Sequence, residues 1–209
     1  MSNSTTFWYA SRATGVVALV LLSVVLALGI AVARQARVPG LPRFALTELH
    51  RNLSLLAVAF LSVHVLTAVL DTYVAIPLAA IVIPFASGYE RLWLGLGAAA
   101  LDLTAAMIVT SLLRGRMSRA AWRAVHLAVY LCWPLALVHS LFSDGDMRHG
   151  PLLGAAIACA LAVAAAIARR LAGVARRPAR AARVAAELAV AERGRAAAPA
   201  SPAAHGSNR

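Results

Sequence analysis

LHRNLSLLAVAFLSVH, residues 49–64, decides the fold class. Its interior is almost wholly apolar, yet it carries a histidine near each end, His50 and His64. The apolar run continues to residue 70, and a membrane-spanning helix needs about 20 such residues. Working outward, four more runs of that length occur, at residues 13–33, 92–113, 122–142 and 152–171. The chain therefore reads as all-α, a polytopic membrane bundle of five transmembrane helices. YVAIPLAAIVIPFASGY, residues 73–89, is apolar too, but it is short and broken by Pro77 and Pro84, so a re-entrant or interfacial stretch is expected there.

Composition agrees. Of 209 residues 61% are hydrophobic and 13% charged, whereas soluble domains sit near half and about a quarter. A soluble fold is excluded. The two cysteines, Cys132 and Cys159, both lie in apolar runs. That excludes a disulfide framework and a CxxC metal site, and both read as small core residues. Outside the spans no stretch is long enough for a flavin or nicotinamide domain, and there is neither a GxGxxG motif after a strand-like run nor a P-loop. The first apolar run ends in Ala31-Val32-Ala33, which resembles a leader cleavage site. No basic residue precedes Arg12, the run is long for a leader, and Arg34 and Arg37 follow at once, so it reads as a retained span.

Charge gives the orientation. The net charge is +12 and all 20 basic residues are arginine. Arg34, Arg37, Arg43 and Arg51 follow the first span; Arg114, Arg116, Arg119 and Arg123 follow the third; Arg169, Arg170, Arg176 and Arg177 follow the fifth. The other two loops hold Arg91 and Arg148 beside Asp71, Glu90, Asp144 and Asp146. The positive-inside rule then places the N-terminus outside and the C-terminus in the cytoplasm. Trp8, Tyr9 and Trp93 fit an outer aromatic belt and Trp122 an inner one. Residues 7–172 form the membrane domain and 173–209 a basic Ala/Arg-rich tail. In the tail, residues 174–193 fit a basic helix on anionic lipid, though a solvated tail with no task fits better, and roughly the last fifteen fit disorder. The basic residues sit where topology requires them, so no nucleic-acid partner is expected.

Ionisable groups inside a membrane are rare and usually functional. Of six histidines, His149 and His205 fall in a loop and the tail; the other four fall on two spans. His50 and His64 are fourteen residues apart, His126 and His139 thirteen. At 1.5 Å per residue these are separations of roughly 21 and 20 Å, inside a hydrocarbon core of about 30 Å. The two spans run in the same direction, so His50 shares a depth with His126 and His64 with His139. Such imidazole pairs suit haem iron held on both axial sides, which leaves no open position and favours electron transfer over oxygen chemistry. A zinc-type site needs ligands converging on one point. Azimuth is uneven: His50 and His64 fall about 40° apart around their helix, but His126 and His139 about 140° apart. A kink at Pro134 between them is expected to re-aim His139.

On these residues the chain resembles the ferric reductase-like transmembrane domain, shared by ferric reductases, the membrane part of NADPH oxidases and the bacterial haem subunit MsrQ. The paired spacings carry the resemblance, with WYASRATG, PFASGYERLWLGLGAAALDL and VTSLLRGRMSRAAWRAVH, over about residues 7–145. It implies two b-type haems, His50 facing His126 at the inner level and His64 facing His139 at the outer. It also implies the plasma membrane of a bacterial cell. Two departures stand out: relatives often continue into a cytoplasmic FAD/NADPH domain, and the family core often has six helices.

Three arginines are candidate propionate partners: Arg12 at the outer level, Arg51 and Arg123 beside His50 and His126 at the inner. Snorkelling to headgroups explains Arg12 equally well, and topology alone explains the other two. Asp102, mid-span, is either packed against a nearby threonine or carbonyl or engaged in proton movement. The expected function is electron transfer from a cytoplasmic donor, a separate flavoprotein reductase or quinol, through the inner and outer haems. The acceptor lies outside the membrane and is ferric iron or a partner oxidoreductase. No catalytic side chain is assigned, and there is room for a flavin on the partner or at the cytoplasmic face. The alternatives are a proton-coupled small transporter and a haem-free structural subunit.

Overall fold

The computed structural model describes residues 3–34, 42–71, 76–143 and 145–196. Arg37, Asp144, His205 and the expected disorder beyond residue 196 lie outside these. The described residues are mostly helical and contain no strand. In chain order the helices are α1 (Asn3–Ala33), α2 (Arg43–Leu70), the single turn α3 (Ala79–Val82), α4 (Arg91–Leu112), α5 (Arg119–Leu127), α6 (Val129–Phe142) and α7 (Gly150–Ala196). Five stretches are long and apolar enough to cross a membrane: Thr5–Ala33, Phe44–Leu70, Arg91–Leu112, Arg119–Phe142 and Gly150–Arg176. The chain is a multi-pass membrane protein. Large apolar side chains point outward along the spans, Leu66 and Leu161 among them. A surface of that kind suits lipid.

Local chemistry sets the helix ends. Ser118 caps α5, its hydroxyl accepting from the Ala121 N–H at 3.1 Å, which satisfies a donor the first turn leaves free. Pro151 takes the second position of α7, where the missing N–H costs nothing. Hydroxyls inside the spans turn back to carbonyls one turn earlier. Ser23 donates to Leu19, Ser54 to His50, Thr67 to Val63 and Thr104 to Ala100, all within 2.6–2.8 Å, and each polar group is thereby satisfied within its own helix.

The chain divides into two compact units, residues 1–167 and 168–209. In the second, residues 168–196 are helical. In the first, α1 packs chiefly on α2 and α4 on α6, and α1 also touches α6. The core gathers Leu26 and Ile30 of α1, Trp133 of α6, and Cys159 and Val163 of α7. Trp133 Nε1 donates to Ser23 Oγ at 2.8 Å, joining α6 to α1. Cys132 and Cys159 are free and buried, as expected of small core residues.

Pro134 sits inside α6, and the helical assignment of the fourth span is interrupted six residues earlier, at Ala128. There the ladder tightens: the Ala128 N–H bonds Val125 O and the Leu131 N–H bonds Ala128 O, both at 2.9 Å. Three-residue bonds of this type wind the chain more tightly than an α-helix, so the azimuth between His126 and His139 departs from the straight-helix value. The 73–89 stretch is no span in its described part. It forms α3, then turns back through Phe85, whose φ of 66° is unusual for an aromatic residue. The Phe85 ring fills the notch left by Gly95 of α4, in the place a Cβ would take.

Candidate functional site

α1 and α2 are antiparallel neighbours, which brings His64 to the start of α1 and His50 toward its end. His64 Nδ1–H donates to the Ser11 carbonyl at 2.8 Å, and His50 Nδ1–H to the Val25 carbonyl at 3.1 Å. On the other helix pair, His139 Nδ1–H donates to the Trp93 carbonyl at 2.9 Å, with Ser143 Oγ also 3.0 Å away. A carbonyl only accepts, so in each bond Nδ1 carries the proton and Nε2 keeps its lone pair. That is the tautomer of an imidazole ready to ligate a metal through Nε2, and a backbone acceptor on the other nitrogen is the usual support for one.

His64 and His139 face each other. Their ring centres are 6.3 Å apart and their planes 76° apart. A metal–nitrogen bond of about 2.0 Å plus roughly 1.1 Å from nitrogen to ring centre puts two imidazoles on opposite sides of one iron about 6.2 Å apart. Both planes in such a clamp contain the iron–nitrogen axis, so any angle between them is allowed. The pair lines a largely apolar cleft walled by Gly15, Leu19, Gly97 and Ala136 and bordered by Ala80 and Ile81 of the α3 turn. Spacing and tautomer fit two imidazoles on one haem iron.

His126 differs. It stacks on Trp122, with centroids 4.7 Å apart and planes 20° apart. Its Nδ1 and the Trp122 Nε1 are buried without a hydrogen-bond partner. This arm lacks the carbonyl anchor of the other three.

Among the described residues no three His, Cys, Asp or Glu side chains converge on one point. A haem iron needs only two axial imidazoles. Arg12 pairs with Asp146 and stacks over Trp8, its guanidinium carbon 3.4 Å from the ring centroid. Arg51 lies 3.9 Å from Glu48 one turn earlier, both exposed. Arg123 is exposed, in a shallow recess with Arg114, Arg119 and Trp122. Asp102 is half-buried on α4.

Sequence reasoning missed the glycines. An ideal Cβ on Gly15 would come within 2.9 Å of the His64 ring, one on Gly29 within 3.2 Å of His50, and one on Gly97 within 2.6 Å of His139. Gly15 and Gly29 are fourteen residues apart, the same separation as His50 and His64, and that matched interval was a usable signal.

A search of curated proteins and one of solved structures found no match. Residues 14–137, well over half of the chain, match the family described as "Ferric reductase like transmembrane component". Domains of this family generally bind haem, and the family implies transmembrane electron transfer with a redox partner. The matched region contains three of the four histidines and stops two residues short of His139. The chain belongs to the ferric reductase-like transmembrane component family.

Proposed function

We propose that this chain is a di-haem b-type membrane cytochrome that carries electrons across the bilayer. His64 and His139 hold the outer iron, and His50 and His126 the inner one. The observation that carries this reading is the His64–His139 pair, ring centres 6.3 Å apart, with both Nδ1 atoms bonded to carbonyls. A haem bound between two imidazoles supplies one-electron transfer and offers no open site for oxygen.

The chain's own groups do the rest. The three carbonyl anchors orient the rings before any iron arrives. Leu19, Leu22 and Leu101 and the neighbouring alanines keep water from the outer pair, which stabilises a neutral, low-dielectric surround. Along α2 the fourteen residues between His50 and His64 set the two levels roughly 21 Å apart. The arginine-rich loops put the His50 and His126 level on the cytoplasmic side. The donor is then a separate cytoplasmic flavoprotein or quinol, and the acceptor ferric iron or an oxidoreductase on the far side. Arg51 and Arg123 lie on the inner side, where they are available to haem carboxylates.

The test is a haem-to-protein ratio with a redox titration of the purified chain. Two haems per chain and two low-spin components are expected. A haem-free protein, or a high-spin five-coordinate spectrum, overturns the reading.

A further inference from the structure

Three of the four imidazoles rest on one repeated arrangement. His64 donates to the Ser11 carbonyl and lies on Gly15; His50 donates to Val25 O and lies on Gly29; His139 donates to Trp93 O and lies on Gly97. In each case the glycine stands four residues after the accepting carbonyl. The carbonyl at position i of a helix already receives the N–H of i+4. Only a residue without a Cβ at i+4 lets a ring lie flat against the helix and reach that same oxygen.

The fourth imidazole lacks this support. His126 Nδ1 has no partner, and the ring stacks on Trp122 instead.

We propose that Gly15, Gly29 and Gly97 are positioning residues, each forming with the carbonyl four residues before it a socket that fixes one imidazole. His126 has no such socket, so the outer clamp is anchored on both sides and the inner on one. This rests on the haem reading above. It adds residues that neither the family match nor the histidine spacing assigns.

The experiment compares Gly97→Ala, Gly29→Ala and Gly154→Ala with wild type, as full-length protein in detergent. Readouts are haem per folded chain, the low-spin EPR signals and the redox components. Gly154 has nothing within 4 Å of its Cβ position and serves as the control. Gly97→Ala is expected to fall from two haems to one by losing the outer component. Gly29→Ala is expected to lose or shift the inner component and keep the outer. A purely structural role would lower the yield of folded chain without changing which component is lost. Two haems with unaltered signals in both variants overturn the sockets, as does loss of the same component from both. If Gly97→Ala does not accumulate, Gly29→Ala decides, because its contact of 3.2 Å asks for a shift of only a few tenths of an ångström. A wild-type chain without haem overturns the haem reading itself; a loaded wild type with indifferent glycines overturns only this inference.

Discussion

His64 and His139 meet with their planes 76° apart, close to perpendicular. Axial imidazole planes set how the iron d orbitals split: perpendicular rings leave two of them nearly degenerate, and parallel rings separate them. The outer haem is therefore expected to give a strongly anisotropic low-spin EPR signal in the oxidised protein. A rhombic spectrum of the parallel kind at both sites contradicts the observed geometry.

Removing one arm of a clamp should unload one level. His64→Ala and His139→Ala are each expected to retain about half the haem, the inner component, and His50→Ala the outer component. His126→Ala should have the mildest effect on the fold, because its Nδ1 anchors nothing. Pyridine haemochrome assay against protein concentration reads all four. Equal loss of both components from every variant would mean that the histidines support one shared structure.

The spans and the four histidines were legible because each is a property of composition and interval. A run of twenty apolar residues and a repeat of fourteen survive any detail of packing. What bends a helix was harder. Besides Pro134 there is an irregularity at Ala128, a small residue with no sequence signature, where the ladder switches to three-residue bonds. Arg12 was weighed as a haem partner, and its ion-pair partner proves to be Asp146, 134 residues away; only folding brings them together. Gly15 and Gly29 were legible in principle through their interval. Gly97 stands without a matched partner, so its meeting with His139 needed the structure.

The Trp133 Nε1–H to Ser23 Oγ bond joins α6 to α1 in the core. Trp133→Phe removes the donor but leaves Ser23 bonded to Leu19 O, so no buried group is orphaned. Bonds of this kind between membrane helices average about 0.6 kcal/mol, and lost ring packing raises the total toward about 1 kcal/mol. That corresponds to a drop of about 2–4 °C in unfolding temperature. Thermal denaturation in detergent checks it, and a drop beyond 10 °C would assign the ring a larger role.

Phe85 holds φ at 66° because its ring is seated against Gly95. Gly95→Ala puts a methyl where the ring is, and overpacking of this kind costs about 1–3 kcal/mol. The ring should leave, and residues 76–90 should loosen beside the cleft they border. Faster amide exchange across 83–90 is expected, together with greater access of small reductants to the outer haem and unchanged haem content. Unaltered exchange would show that the ring seat does not hold this segment.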